Sequence, residues 1–249
     1  MTTVADKRRT NGQLTREKLL AAGEQAFADH GFDGATTRMV ADAAGTDIAL
    51  IVYHFGSKLG LYREILLRRA KTLNARRISE LDEALADSEG RTPDLTPIVK
   101  ALVATNIRLR TDQELGGLPV ARLFAREMIE PKQADRHIIG DMFDETAKRF
   151  MSAMQLALPD TSFEAISWAY HFAISAVVQT MANVARLEAL SNGACDMSDG
   201  ERAIDHLVPF IVEGIKGCVA AHVAMQCAAP TRQKSPAPAP KRKKKTSGP

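Results

Sequence analysis

The sequence predicts an all-α protein, with a small three-helix unit at its N-terminus and a larger helical domain behind it. Three observations carry this. Apolar residues recur at helical spacing along most of the 249-residue chain, and no stretch keeps the alternation of a half-buried strand. Ala and Leu, both strong helix formers, are abundant. Between the periodic stretches stand Thr, Asp, Ser and Gly, which close helix ends. A chain of this length, 45% hydrophobic and 25% charged, buries a sizeable core as one large domain or two smaller ones.

Residues 1–14 are polar, carry Lys7, Arg8 and Arg9, and read as a flexible arm. Thr15 is placed to cap a first helix with Leu19, Leu20, Ala22, Gly23, Ala26 and Phe27 on its inner face, stopped by Gly31. Thr36 or Thr37 caps a short second helix with Met39, Val40 and Ala43 inward, and Gly45 ends it. Asp47 then caps "IALIVYHF", a helix of about two turns that Gly56 and Ser57 interrupt. There Ile51, Val52 and Phe55 suit the inner face, leaving Tyr53 and His54 outward or sideways.

Ser57 caps a long fourth helix, and Thr96-Pro97 opens a fifth that runs to about Arg110. "ELGGLP" breaks the chain before "VARLFAREMIEP". An amphipathic helix covers about 133–157 and a long, mostly apolar one about 162–191. A capping box of Ser198 with Glu201 opens the last helix, which Pro209 bends and which ends near Met225. The tail, rich in Pro, Ala and Lys, lacks core-forming residues and reads as disordered.

Charge and composition narrow the function classes. The net charge of +3 hides an asymmetry: from Arg232 onward there are seven Lys or Arg and no acid, so the rest carries three minus seven, −4. Cys195, Cys218 and Cys227 make no metal-binding spacing and suit packed or idle thiols in a reducing cytosol; no metal and no cofactor is expected. The N-terminus has no apolar signal-peptide core. Residues 165–185 are uncharged and long enough to span a bilayer. His171, Gln179, Asn183 and several hydroxyls favour instead a helix buried on most sides within protein, with no membrane partner. No HExxH, GxSxG, Walker loop or dinucleotide fingerprint is present, so the sequence carries no enzyme signature.

The three N-terminal helices, the second and third joined by a tight Gly turn at about 36–55, make a helix-turn-helix candidate. Tyr53 suits a phosphate or a thymine methyl, and His54 a phosphate. Lys58 adds a charge beside the helix start at Ser57, and Arg38 carries a fork that matches guanine O6 and N7. The competing reading of Tyr53 and His54 is a satisfied core edge.

The stretch "TREKLLAAGEQAFADHGFDGATTRMVADAAGTDIALIVYHFGSKLGLY" resembles the DNA-binding domain of the TetR family of bacterial repressors over residues 15–62. The likeness lies in Gly31-Phe32, Ala35-Thr36-Thr37-Arg38, Ala44-Gly45, and Phe55-x-Ser57-Lys58 before a long helix. "AGTDIALIVYHFGSK" and, more weakly, "GLPVARLFAREMIEP" resemble the CecR-like branch.

By position, the resemblance implies DNA contacts from Thr37 and Arg38, base edges or sugars for Ile48, Ala49, Leu50 and Tyr53, and phosphates for His54 and Lys58. There are departures. Val52 stands where many members have a phosphate-contacting tyrosine, Gly56 replaces a frequent proline, and Gly60 weakens the first turn of the long helix. Ile48 and Ala49 offer no hydrogen-bond donor, so base readout is expected to lean on Arg38, Tyr53 and methyl contacts.

The resemblance further implies that residues 63–226 form a helical ligand-binding and dimerisation domain. A cytoplasmic homodimer would pair through its last two long helices, read a palindromic double-stranded DNA operator and answer to a small-molecule effector. Candidate linings of an effector pocket are Phe124, Met128, Phe143, Phe150, Trp168, His171, Phe172 and Gln179, each with plain core as its other reading. His171 has a further alternative as a metal ligand. In the tail, 227–249, "KRKKK" either binds DNA phosphates or only solubilises. A sequence-tolerant, nucleoid-type binder using that tail is the alternative function, and activation remains open beside repression.

Overall fold

The computed structural model describes residues 4–88, 90–130, 136–182, 184–196 and 199–228. The basic tail from 229 onward and Ser198 lie outside them. All elements among the described residues are helices: α1 (Val4–Gly34), α2 (Thr37–Ala44), α3 (Ala49–Phe55), α4 (Lys58–Ala86), α5 (Leu95–Arg108), α6 (Gly117–Ile129), α7 (Ile138–Ala157), α8 (Phe163–Ala182), α9 (Val184–Leu190) and α10 (Gly200–Ala228).

The first helix starts earlier than the sequence suggested. Residues 4–14 continue α1 instead of forming a flexible arm, and Thr15 caps nothing: its hydroxyl donates to the Asn11 carbonyl at 3.0 Å, inside the helix. No proline interrupts this stretch, and Ala, Lys, Arg and Gln all favour the helix. At the other end Gly31, with φ 70°, bends the chain out of helical geometry.

The caps around the next helices are local. Thr36 accepts from the Met39 amide at 3.1 Å, and Gly45 closes α2 at φ 63°. The Asp47 carboxylate accepts from the Ala49 amide at 2.7 Å, and Ser57 from the Gly60 amide at 3.0 Å. Gly60 has a steric reason. A Cβ there would lie 2.0 Å from the Phe55 carbonyl oxygen, so only glycine lets the first turn of α4 pass the end of α3.

Two later starts also differ. Asp94, accepting from the Thr96 amide at 3.0 Å, caps α5, which places Pro97 within its first turn, where a missing N–H costs nothing. Asp199 accepts from the Arg202 amide at 3.0 Å and caps α10, which continues across Pro209.

One hydrophobic core runs through the molecule. It takes Leu19 and Phe27 from α1, Leu61, Leu66 and Leu73 from α4, Leu102 from α5, Phe150 from α7 and Ile211 from α10. The long α4 is the spine, packing on α1, α3, α5 and α7. The most enclosed helix is α5, sandwiched by α4, α7, α8 and α10, with buried residues on every side from Ile98 to Ile107. That corrects the expectation that residues 165–185 would be buried on most sides: Trp168 and Phe172 on α8 are 51% and 56% exposed.

Candidate functional site

The short α3 divides its residues sharply. Ile51 is fully buried, and Leu50 and Phe55 pack partly against the core. Tyr53 is 79% exposed, with Ile48 and Ala49 beside it. Val52, expected inward, is 61% exposed. The reason is helical phase: with Ile51 and Phe55, four apart, anchored on α4, residue 52 turns away toward the face of Ile48, Ala49 and Tyr53. The Tyr53 and His54 rings meet edge to face, 4.9 Å between centroids, and His54 is half-buried.

On α2 the buried residues are Val40 and Ala41; Met39 and Ala43, expected inward, are exposed, because docking on α1 rotates the helix toward Ala41. Thr37 is half-buried, and Arg38 projects into solvent. Its nearest carboxylate, Asp42, is 3.9 Å away and itself exposed, so the pairing is weak and the guanidinium stays available. Lys58 is more engaged than expected. Its ammonium lies 4.6 Å from the Phe32 ring centre and 3.5 Å from the Asp33 carbonyl, which ties it to the corner between α1 and α2.

A buried polar joint connects this unit to the larger domain, and the sequence reading missed it. Glu127 of α6, fully buried, accepts from the Tyr62 hydroxyl of α4 at 2.7 Å. It is gripped from the other side by Arg136, at 2.8 and 3.2 Å. The Arg136 guanidinium covers the Phe32 and Tyr62 rings at 5.2 and 5.8 Å. Burial, and then the Glu127 carboxylate, push the Tyr62 phenol above its ordinary range, so it remains a donor. Nearby, Arg126 donates to the Asp29 carbonyl at 3.3 Å.

Behind the joint lies a cavity of about 160 Å³. Three of the eight expected residues line it: Phe124, Met128 and Phe143, the two rings edge to face at 5.7 Å. The other five are corrected. Phe150 is core beneath it, covered by the Arg77 guanidinium at 5.1 Å. Trp168, His171 and Phe172 are on the outer face of α8. Gln179 instead borders a separate open groove of about 610 Å³ with Leu187, Leu190 and Phe210. The inner face of α8 carries Tyr170, Ile174, Val177 and Met181. With aromatics on both faces of α8, apolarity alone did not choose between Trp168 and Phe172 and the i, i+4, i+7, i+11 stripe from Tyr170. Arg77 and Asn106, also in the wall, had no signal of their own.

Known proteins agree with this geometry. A model of bacterial regulatory proteins of the tetR family matches residues 19–65, and one described as the tetracyclin repressor-like C-terminal domain matches residues 100–214. The chain belongs to the TetR family. The transcriptional repressor AcnR of Corynebacterium efficiens is 30% identical over 104 residues, 40% of this chain and 53% of that protein. The dual regulator CecR of Shigella flexneri is 45% identical over 51 residues, 20% of this chain and 22% of CecR. The chain thus spans about half the length of AcnR and less of CecR. A putative tetR family regulator from Shewanella sp. PV-4 has the same fold, with a TM-score of 0.55 at 15% identity over 78% of this chain and 95% of that one. TetR-family members regulate transcription through the helix-turn-helix, here α2 and α3.

Proposed function

We propose that this chain is a repressor that binds a palindromic operator as a homodimer and leaves it when a small effector fills the cavity. One observation carries the reading: Ile51 is wholly buried while Tyr53, two residues on, stands 79% exposed beside Ile48, Ala49 and Val52. An outward apolar and aromatic face on a capped, core-anchored two-turn helix suits the floor of a major groove. Arg38 reads guanine through its fork, Tyr53 and its aliphatic neighbours meet thymine methyls and sugars, and Thr37, Leu50, His54 and Lys58 border the backbone.

The division of labour follows the same lines, with DNA binding within residues 15–62 and dimerisation and effector binding within 63–226. Trp168 and Phe172 on α8 and Phe210, Val223 and Met225 on α10 leave a large apolar surface uncovered. By length and composition α10 passes for a membrane span, with 22% of its most apolar window buried. A second copy packed against α8 and α10 in the cytoplasm accounts for that face and presents two α3 helices to one side of the DNA. The link to the effector is α6. Phe124 and Met128 face the cavity, while Arg126 and Glu127, between them in sequence, hold α1 and α4. Filling the cavity shifts α6 and with it the seat of the recognition unit.

The test is fluorescence anisotropy at one fixed salt concentration, comparing a duplex from the DNA flanking this gene with a shuffled duplex. A preference of roughly a thousandfold is expected. Equal binding to both that collapses on removing residues 229–249 overturns the operator reading in favour of a sequence-tolerant binder that works through its basic tail.

A further inference from the structure

We infer that the effector is a small organic monoanion, a carboxylate on an apolar body about the size of one benzene ring, gripped by Arg77. This rests on the effector-released reading above and specifies its ligand.

Arg77 is 3% exposed and lines the cavity. Its Nη1 donates to the Asn74 side-chain oxygen at 3.2 Å. Its Nε and Nη2 have no hydrogen-bond partner and no contact with solvent. Those two nitrogens form one edge of the guanidinium, the edge that fits both oxygens of a carboxylate. The protein uses that edge elsewhere. Arg69 holds Glu24 by Nε and Nη2 at 2.6 and 2.8 Å, Arg108 holds Glu201 at 2.6 and 2.9 Å, and Arg136 holds Glu127 at 3.2 and 2.8 Å. Arg77 presents the same edge with no carboxylate on it, and the Tyr170 phenol lies beside the guanidinium.

No carboxylate of the described residues forms an ion pair with Arg77. The Glu80 carboxylate is taken by the Thr105 hydroxyl at 2.8 Å and by Arg76 at 3.7 Å. Asp144 borders the cavity but is exposed. Burial pulls the Arg77 guanidinium below its ordinary value, and the Tyr170 phenol beside it opposes that pull. Arginine stays charged even so, and a buried guanidinium held only by Asn74, the Phe150 ring and the neighbouring Tyr170 phenol, with no carboxylate to neutralise it, favours an anion from outside.

The rest of the wall sets the body of the ligand. Phe124, Met128, Phe143, Ile174 and Met181 are apolar. A dry cavity of about 150 Å³ accepts benzene, and this one measures about 160 Å³. Among the described residues Arg77 is the only cationic side chain in the lining, and Asp144 stands at the wall. One negative charge is therefore matched; a phosphate dianion or a long acyl carrier conjugate is not.

The experiment is calorimetric titration of the full chain, without DNA, using benzoate, phenylacetate and cyclohexanecarboxylate, each against its amide. At least one acid should bind tenfold or more tightly than its amide, and Arg77→Met should abolish that preference while leaving the melting temperature of the unliganded protein near that of the parent. Should Arg77→Met not fold, Ala147→Leu narrows the cavity with the arginine intact and should abolish acid binding. No binding by any of the three acids, or equal binding of acid and amide, overturns the inference. Operator release is read separately by anisotropy. A carboxylate that binds through Arg77 without releasing DNA leaves this inference standing and removes the effector-released repressor; release by an uncharged compound alone does the reverse.

Discussion

The helix-turn-helix unit and the interior cavity handle polar groups in opposite ways. Around α2 and α3 the helix starts are closed by side chains within three residues: Thr36 to Met39, Asp47 to Ala49, Ser57 to Gly60. The polar residues left over, Arg38 and Tyr53, are pushed into water, where waiting for DNA costs little. In the cavity the unsatisfied group is inside. Arg77 keeps two donors unpaired in a wall that is otherwise mostly apolar. A surface site is thus defined by what local structure leaves exposed, and an interior site by what tertiary packing leaves unpaired.

The joint at Glu127 ties these two regions, and breaking it carries the largest expected effect. Glu127→Ala leaves Arg136 and Tyr62 buried without their acceptor. We expect a loss of about 3–5 kcal/mol in denaturant unfolding, the usual cost of stripping one partner from a buried pair. A loss below about 1 kcal/mol would class the joint with surface contacts and uncouple the two regions.

Gly60→Ala tests the recognition side through packing alone. The added Cβ meets the Phe55 carbonyl at 2.0 Å, so the α3–α4 corner must move. We expect about 1–3 kcal/mol of destabilisation, together with weaker operator binding. Unchanged binding in anisotropy would show that α3 can be re-seated without penalty.

Arg38→Ala sharpens the contrast from the exposed side. Operator binding should weaken by roughly 1–3 kcal/mol, with relaxed discrimination at one base pair, while unfolding in urea stays near the parent. Loss of stability instead would mean that Arg38 serves the fold.

The smallest effect belongs to a surface tie. Arg108 holds Glu201 and so fastens α10 to α5, and its hydrogen bond is the main reason the Glu201 carboxyl lies below the usual carboxylate range. Both groups are partly exposed, so Arg108→Gln should cost less than about 1 kcal/mol. The sign follows from linkage. The contribution is present above the ordinary carboxylate value and fades as pH falls through the lowered one, so parent and variant should converge in acid. A difference that grows in acid would contradict this assignment.

How much was legible depends on the range of the interaction. Asp47 and Ser57, and the pair Thr36 or Thr37, were readable as caps because a cap bonds to its own chain within three residues; the structure chose Thr36. The start of α5 was misread by two residues because Asp94 and Thr96 are both competent caps and only the fold chose. Val52 was misassigned because Ile51 and Val52 are chemically alike, and only docking on α4 sets the phase. Trp168 and Phe172 looked like pocket residues for the same reason. The aromatics of α8 point both ways, and the inner stripe was decided by α6 and α7 packing around Tyr170 and Ile174.

By itself the sequence determined an all-helical chain, a helix-turn-helix at the N-terminus, an outward Tyr53, and the family. Each of these is written in residues close together along the chain. Tertiary structure alone decided that Glu127 meets Tyr62 across 65 positions, which face of α8 looks inward, and that Nε and Nη2 of Arg77 are buried without a hydrogen-bond partner. Those outcomes depend on which helices meet and in what rotation, and neither can be read from any single stretch of the sequence.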